Sequence, residues 1–326
     1  MTLNSRLIFV EGVSGSGKST AAQFICHQLQ KTGLASRWYY EEDLSHPVAL
    51  EYDAEAHPTP EEFLSAKLSR WNSFVRHTVT SSEVHTIEGH LFQANVGLST
   101  VVEDLEAFQI RDLIRKIVGV CTNLTPVLVY LRCSDHAQVL RRKLDHRGTA
   151  YERHILATFA EDQSAQARGW EGYEGLVRKQ EEEAQALDDL FAALEVDKLC
   201  IDTTEGDRNR PYQQICDFLS VPMSTYQTPS LTDLSRLTGI YTCDVGGEAT
   251  AFEIRLEDAE LVINDMPWMW AKQRLLPQEG NVFYVAGKPY EIEFDGDLHG
   301  EVKSFHVSTQ LDWGMPKQVF PRIRSL

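Results

Sequence analysis

The sequence lacks any apolar run of the about 18–20 residues needed to cross a bilayer. Its six cysteines (Cys26, Cys121, Cys133, Cys200, Cys216, Cys243) form no C-x-x-C pair and have no histidine partner at metal-ligand spacing. They read as reduced, mostly buried small hydrophobes rather than a disulfide frame or a zinc site. Positive charge is scarce: 31 Lys+Arg against 48 Asp+Glu leave a net charge of −17. That sign argues against wrapping nucleic acid or lying on an anionic membrane. There is no internal repeat, no low-complexity tract and no H-x-x-x-H on a helix. The opening MTLNSRLIFVEG runs straight into a strand-like segment, so neither a signal nor a transit peptide is expected. The expectation is a soluble, cytoplasmic chain of 326 residues, long enough for two domains.

Strand-like runs alternate with helical stretches over residues 1–221. LIFVEG (7–12), SRWYYEED (36–43), EVHTIEGHLF (83–92), PVLVYLRC (126–133) and KLCIDTT (198–204) are short and apolar, and helices separate them. The pattern predicts an α/β domain with a five-stranded parallel sheet covered by helices. QEEEAQALDDLFAALE (180–195) predicts an amphipathic helix, with Ala184, Leu187, Leu190, Phe191 and Leu194 on one stripe and the acids on the other. PMSTYQTPSLTD then changes the texture, and residues 222–231 read as a linker. Residues 232–326 consist of short β-type runs with turn signals every 8–12 residues, which predicts an antiparallel meander or small barrel.

Gly12-Val13-Ser14-Gly15-Ser16-Gly17-Lys18-Ser19, followed by Thr20, matches G-x-x-x-x-G-K-[ST] without a mismatch. A strand precedes it and a helix comes after, the context in which this loop binds a nucleoside triphosphate. Glycines let successive N–H groups face one phosphate, and the helix N-terminus lies beneath it. Gly12, Ser14, Gly15, Ser16, Gly17, Lys18, Ser19 and Thr20 are therefore the candidate ATP-binding residues, with Lys18 on the β/γ-phosphates and Ser19 on Mg²⁺.

IFVEGVSGSGKST is similar to the opening of small P-loop kinases: VSGSGKST resembles gluconate kinases, and the preceding Glu-Gly resembles thymidylate and deoxynucleoside kinases. The resemblance implies a P-loop kinase domain with ATP and Mg²⁺ as cofactors and a small-molecule acceptor. ABC-type ATPases share the loop, but their LSGGQ-like signature and a hydrophobic run ending in Asp-Glu are missing. YYEEDLSHP resembles the D-G-D-x-x-H-P stretch of gluconate kinases, which aligns Asp43 with the second acid and His46-Pro47 with His-Pro. The deoxynucleoside-kinase D-R-S signature and a thymidylate-kinase lid are absent, so the acceptor stays open among nucleosides, nucleotides, sugar acids and drug-like alcohols.

Further candidates complete a kinase site. Glu41, Glu42 and Asp43 come after the second strand, where acids can orient an acceptor hydroxyl, although Asp43 could equally cap a helix. Asp43 is the expected catalytic acid and Glu42 a substrate contact. Glu88 closes the third strand, as a Mg²⁺ or substrate ligand or as a plain surface acid. The fourth strand ends in Arg132 where a Walker-B strand ends in Asp. Which of Glu41, Glu42, Asp43 and Glu88 acts as base or metal ligand is left open. Arg141, Arg142 and Arg147 in LRRKLDHRG are placed where related kinases carry lid arginines, with Arg142 and Arg147 favoured for catalysis and Arg141 for nucleotide contact. Asp202-Thr203-Thr204 comes after the fifth strand at the expected adenine edge. Trp71, Trp170 and Tyr173 are either acceptor-pocket or packing residues.

The C-terminal region resembles, at the level of pattern, a small accessory β domain appended to various hydrolases. Trp268, Trp270 and Trp313 are read as barrel core or, for the first two, as the lining of a ligand or partner site. A protein partner bound through this region is one expectation. It belongs to a second reading of the chain, a slowly hydrolysing ATP-binding regulator. Transfer of another activated group, such as sulfate, is a third.

Overall fold

The computed structural model describes residues 3–50, 58–98, 102, 105–206, 209–224, 229–267, 269–296, 302–309 and 319–325. The chain divides into two compact units. One comprises Met1–Arg141 with Leu156–Ser224, the other Arg142–Ile155 with Thr225–Leu326.

The first unit is built on β1 (Leu7–Gly12), whose six residues are all buried. Such a continuously apolar strand, with no alternation, belongs at the centre of a sheet covered on both faces. It leads into α1 (Lys18–Lys31), β2 (Ser36–Tyr39), α2 (Pro60–Thr78), β3 (Val84–Glu88), α3 (Gln93–Leu98) and α4 (Ala107–Val120). Then come β4 (Val127–Arg132), α5 (His136–Arg147), α6 (Thr149–Ala160), α7 (Gln163–Ala167), α8 (Gly172–Ala193), β5 (Asp197–Asp202) and α9 (Asn209–Leu219). The sheet order is β2-β3-β1-β4-β5, and every pairing is parallel. The predicted five-stranded sheet is therefore present, with its carboxyl-terminal edge formed by Gly12, Glu88, Tyr39, Arg132 and Asp202.

One face packs Leu7, Phe9, Trp71, Ile87 and Phe92 with α2, α4 and α8. The other packs Ile8, Val10, Ile25, Val129 and Ile215 with α1 and α9. The stripe expected in 180–195 is real: Ala184, Leu187, Leu190 and Leu194 are buried, and Phe191 packs against them. Helix α2 starts on a capping box, in which the Thr59 hydroxyl accepts from the Glu62 N–H and the Glu62 carboxylate accepts from the Thr59 N–H, with Pro60 at the first turn. At the opposite edge, Arg6 donates to the carbonyls of Val79, Ser81 and Asn123 and ties the sheet's amino-terminal side to the loops beneath it.

The second unit opens on α10 (Leu231–Leu237) and continues through β6 (Gly239–Val245), β7 (Glu248–Glu257), β8 (Glu260–Asn264) and β9 (Lys272–Pro277). It ends with β10 (Val282–Val285), β11 (Tyr290–Phe294), β12 (Ser304–Thr309) and β13 (Val319–Ser325). Neighbouring strands pair antiparallel, and β13 returns to β6, closing an eight-stranded barrel. Closure removes the two open edges that a meander would leave. Alternate residues point inward, and Tyr241, Phe252, Phe283, Phe294, Phe305 and Phe320 fill the core. The Phe305 and Phe320 rings stack at 4.8 Å. No described helix is long and apolar enough to cross a membrane.

Candidate functional site

The loop between β1 and α1 has the backbone that the motif requires. Gly12 lies at φ +151°, and a Cβ there would sit 2.4 Å from the Leu131 carbonyl oxygen and 2.6 Å from the Ser16 hydroxyl, so only glycine fits. Gly17 caps α1 in a left-handed conformation without a side-chain hydrogen bond, which leaves the first N–H groups of a 14-residue helix open. Ser16 Oγ is buried without a partner. These features fit a phosphate group, and Ser14, Gly15, Ser19 and Thr20 lie on the same loop and first turn.

Lys18 is 6% exposed. Its ammonium donates to the Val13 carbonyl at 3.4 Å and lies 3.9 Å from Glu41 Oε2. Glu41 stands two residues after β2, and its carboxylate rests over Gly89, where a Cβ would come within 2.6 Å of it. The positive φ of Gly89 (+69°) and its missing side chain make that approach possible.

Two fully buried carboxylates border the lysine. Glu88 accepts from the Trp38 indole at 3.0 Å and from the Glu41 N–H at 3.4 Å. Burial, reinforced by the nearby Glu41 charge, pushes its pKa up to about 8, against the influence of Ser19 and Lys18. Ser19 and Glu88, the expected Mg²⁺ ligands, are thus neighbours. Glu11, the acid of the Glu-Gly pair before the loop but not expected as a site residue, accepts from the Leu91 N–H at 2.7 Å and the Gln93 N–H at 3.2 Å. Burial raises it to about 7, opposed by Lys18 and the N–H groups after β3. Its sequence signals were the Glu-Gly pair itself and an acid inside an otherwise apolar central strand.

The acids after β2 separate by role. Asp43 Oδ1 accepts from both the N–H and the hydroxyl of Ser45 at 2.9 Å. The residue closes a turn and does not start a helix. Glu42 accepts from the Tyr40 hydroxyl at 2.5 Å. Arg132 pairs with Asp188 at 2.8 Å, the same carboxylate that accepts from Tyr130. At the expected adenine edge, the Thr203 hydroxyl donates to the Ser16 carbonyl at 3.0 Å, and Asp202 accepts from the Thr204 N–H at 2.8 Å.

The candidate lid arginines fall in different units. Arg141 belongs to the first, with its guanidinium 5.6 Å from the Tyr173 ring. Arg142 and Arg147 belong to the second. There the Arg147 guanidinium lies between the rings of Trp270 at 4.0 Å and Tyr151 at 4.7 Å, and donates to the Tyr151 hydroxyl at 2.7 Å. Lys288 approaches Trp270 at 3.9 Å. Trp268 and Trp313 lie outside the described residues. Trp71 is fully buried in the core, and Arg168 lies over Trp170 at 4.8 Å.

Among the described residues, no group of three or more His, Cys, Asp or Glu side chains is arranged to hold a metal ion. A divalent cation would therefore take most of its ligands from nucleotide phosphates and water, as Mg²⁺ commonly does.

No protein family matches the sequence, and no curated protein is significantly similar to it. Solved structures do resemble the fold. The YorR protein of Bacillus subtilis, in complex with phosphorylated GDP, aligns at 11% identity over 66% of this chain and 95% of that one, with a TM-score of 0.38. A sugar kinase from Janibacter sp. HTCC2649 aligns at 15% identity over 67% and 95%, with a TM-score of 0.34. Deoxyadenosine kinase from M. mycoides, with bound dATP, aligns at 15% identity over 66% and 99%, with a TM-score of 0.39.

Proposed function

We propose that the chain is a Mg²⁺-dependent ATP phosphotransferase acting on a small-molecule hydroxyl or phosphate acceptor. The observation that carries this reading is the placement of Lys18, held between the Val13 carbonyl and the Glu41 carboxylate beside an uncapped helix N-terminus. Phosphoryl transfer asks little covalent chemistry of the protein, so positioning and charge neutralisation account for most of the acceleration.

When bound, ATP would supply the phosphoryl group and Mg²⁺ would offset its negative charge. The chain's own groups divide the remaining work. The open N–H groups of the loop and of α1 hold phosphate oxygens. Lys18 neutralises charge on the group in transit, and Ser19 with Glu88 holds the cation. The acceptor-orienting acid comes from the stretch after β2: Asp43 by its resemblance to gluconate kinases, Glu41 by its position against Lys18.

The test is ADP release with Mg·ATP across sugars, sugar acids, nucleosides, nucleoside monophosphates and hydroxylated antibiotics, with Asp43→Ala and Glu41→Gln alongside. One class of acceptor should raise turnover well above basal hydrolysis, and one of the two variants should lose that gain while keeping ATP affinity. A flat panel despite ATP binding would overturn the reading and favour a regulatory ATPase.

A further inference from the structure

Beside the Lys18–Glu41 pair lies a second polar cluster, fully inside the first unit and absent from the phosphoryl-transfer scheme. Lys67 sits on α2 and is 2% exposed, yet makes no hydrogen bond or ion pair among the described residues. Burying an ammonium without a partner is costly, so such a group marks a place where an anion is expected. His46 and His90 stack beside it, with ring centroids 3.8 Å apart. Both rings are buried, and both feel the Lys67 charge.

Their hydrogen bonds fix their tautomers. The Val48 N–H donates to His46 Nδ1 at 3.3 Å, so in the neutral ring Nε2 carries the proton. That Nε2–H is buried and unpartnered. His90 Nε2 donates to the Glu41 carbonyl at 3.3 Å, which leaves Nδ1 as a bare acceptor, also buried and unpartnered. Burial, together with neighbouring positive charge, lowers His46 to about 2, so its ring is neutral near pH 7. One turn beyond Lys67 on α2, the Trp71 indole N–H is a further buried donor without a partner.

The cluster therefore offers an ammonium and an imidazole N–H to an oxyanion, and an imidazole nitrogen to a hydroxyl. It is joined to the transfer site through one residue: Glu41 meets Lys18 with its side chain and His90 with its carbonyl.

We propose that Lys67, His46 and His90 form the acceptor subsite, and that the acceptor carries an anionic oxygen group, carboxylate or phosphate, together with a hydroxyl. Naming the occupant the acceptor rests on the phosphotransferase reading; anion binding at Lys67 does not.

The experiment is thermal melting of the full chain without nucleotide. Wild type, Lys67→Met and Lys18→Ala are titrated with sodium phosphate against sodium chloride at equal ionic strength. They are then titrated with two acid–neutral pairs, D-gluconate with D-glucose and dTMP with thymidine. The expected result is an anion-dependent rise in melting temperature that Lys67→Met loses and Lys18→Ala keeps. The pair that shows it distinguishes carboxylate from phosphate. Because Lys18→Ala reads the loop and Lys67→Met the new subsite, failure of one reading is separable from failure of the other. Lys67→Gln serves as the second variant if Lys67→Met does not fold. A Lys67 variant whose response equals that of wild type for every anion, including no response in either, overturns the proposal.

Discussion

At the scale of single residues, the first unit tolerates charges that its stability alone would not select. Lys67 is the clearest. Burial lowers its basicity from 10.5 to about 8, so at pH 7 it is held charged without a partner. The depressed folded value sets the sign. Below pH 8 the folded chain bears the full cost, and stability rises with pH between about 8 and 10.5, as the unfolded lysine stays protonated longer. The groups facing it are the neutral His46 and His90. Lys67→Met should therefore stabilise the ligand-free protein at pH 7 by up to an order of 3 kcal/mol, with the gain shrinking toward pH 10.5. Chemical denaturation at pH 7, 9 and 10.5 checks it, and a destabilised Lys67→Met at pH 7 would contradict it. The buried imidazoles carry a dependence of the same sign at lower pH. Their lowered basicity means that stability is lost as pH falls below about 6.5, where the unfolded histidines take up protons first. An acid limb beginning near pH 6.5 in wild type, and reduced in His46→Gln, is the expected titration.

At the scale of elements, the central strands β1 and β4 were legible because each is a short, nearly uninterrupted apolar run, and LIFVEG and VLVYLR are buried almost throughout. The loop was legible because its chemistry depends on glycine backbone, which a motif records. The acidic stretch after β2 was only half legible. The sequence marks Glu41, Glu42 and Asp43 alike, but the chain turns after Tyr39, and that turn sends Glu41 toward Lys18 while Asp43 binds Ser45. Glu11 was missed because its partners, the N–H groups of Leu91 and Gln93, lie 80 residues or more away in sequence. Lys67 was missed because a lysine on an amphipathic helix normally faces water, and only the packing of α2 against β1 puts it inside. The Gly12 contacts make the loop testable as an element. Gly12→Ala places a Cβ against Leu131 and Ser16, and strain of about 1–3 kcal/mol should weaken nucleotide binding by about five- to 150-fold. Equilibrium titration with a fluorescent ATP analogue reads it; unchanged affinity would contradict the loop's role.

At the scale of the whole molecule, sequence continuity and compactness differ. The barrel was visible in the turn rhythm of residues 232–326. That residues 142–155, between β4 and β5 in sequence, share a compact unit with the barrel was not visible, because nothing local in LRRKLDHRGTAYERHI records Trp270. Gly148 permits the approach: it lies at φ +91°, and a Cβ there would meet Ala271 at 2.6 Å. Trp270→Ala removes the ring on which Arg147 lies, a contact worth about 0.5–2 kcal/mol. Tryptic cleavage after Arg147 should then accelerate by about 2- to 30-fold, with the barrel still folded. Equal cleavage rates would mean that Trp270 does not hold the segment.

The decisive measurement tracks the γ-phosphate of labelled ATP with Mg²⁺ and each acceptor class, comparing wild type with Lys18→Ala. Label arriving on an organic product, and falling by about 10²–10³-fold in Lys18→Ala, is the predicted result. Label found only as inorganic phosphate, at one rate with and without acceptor, would contradict a phosphotransferase.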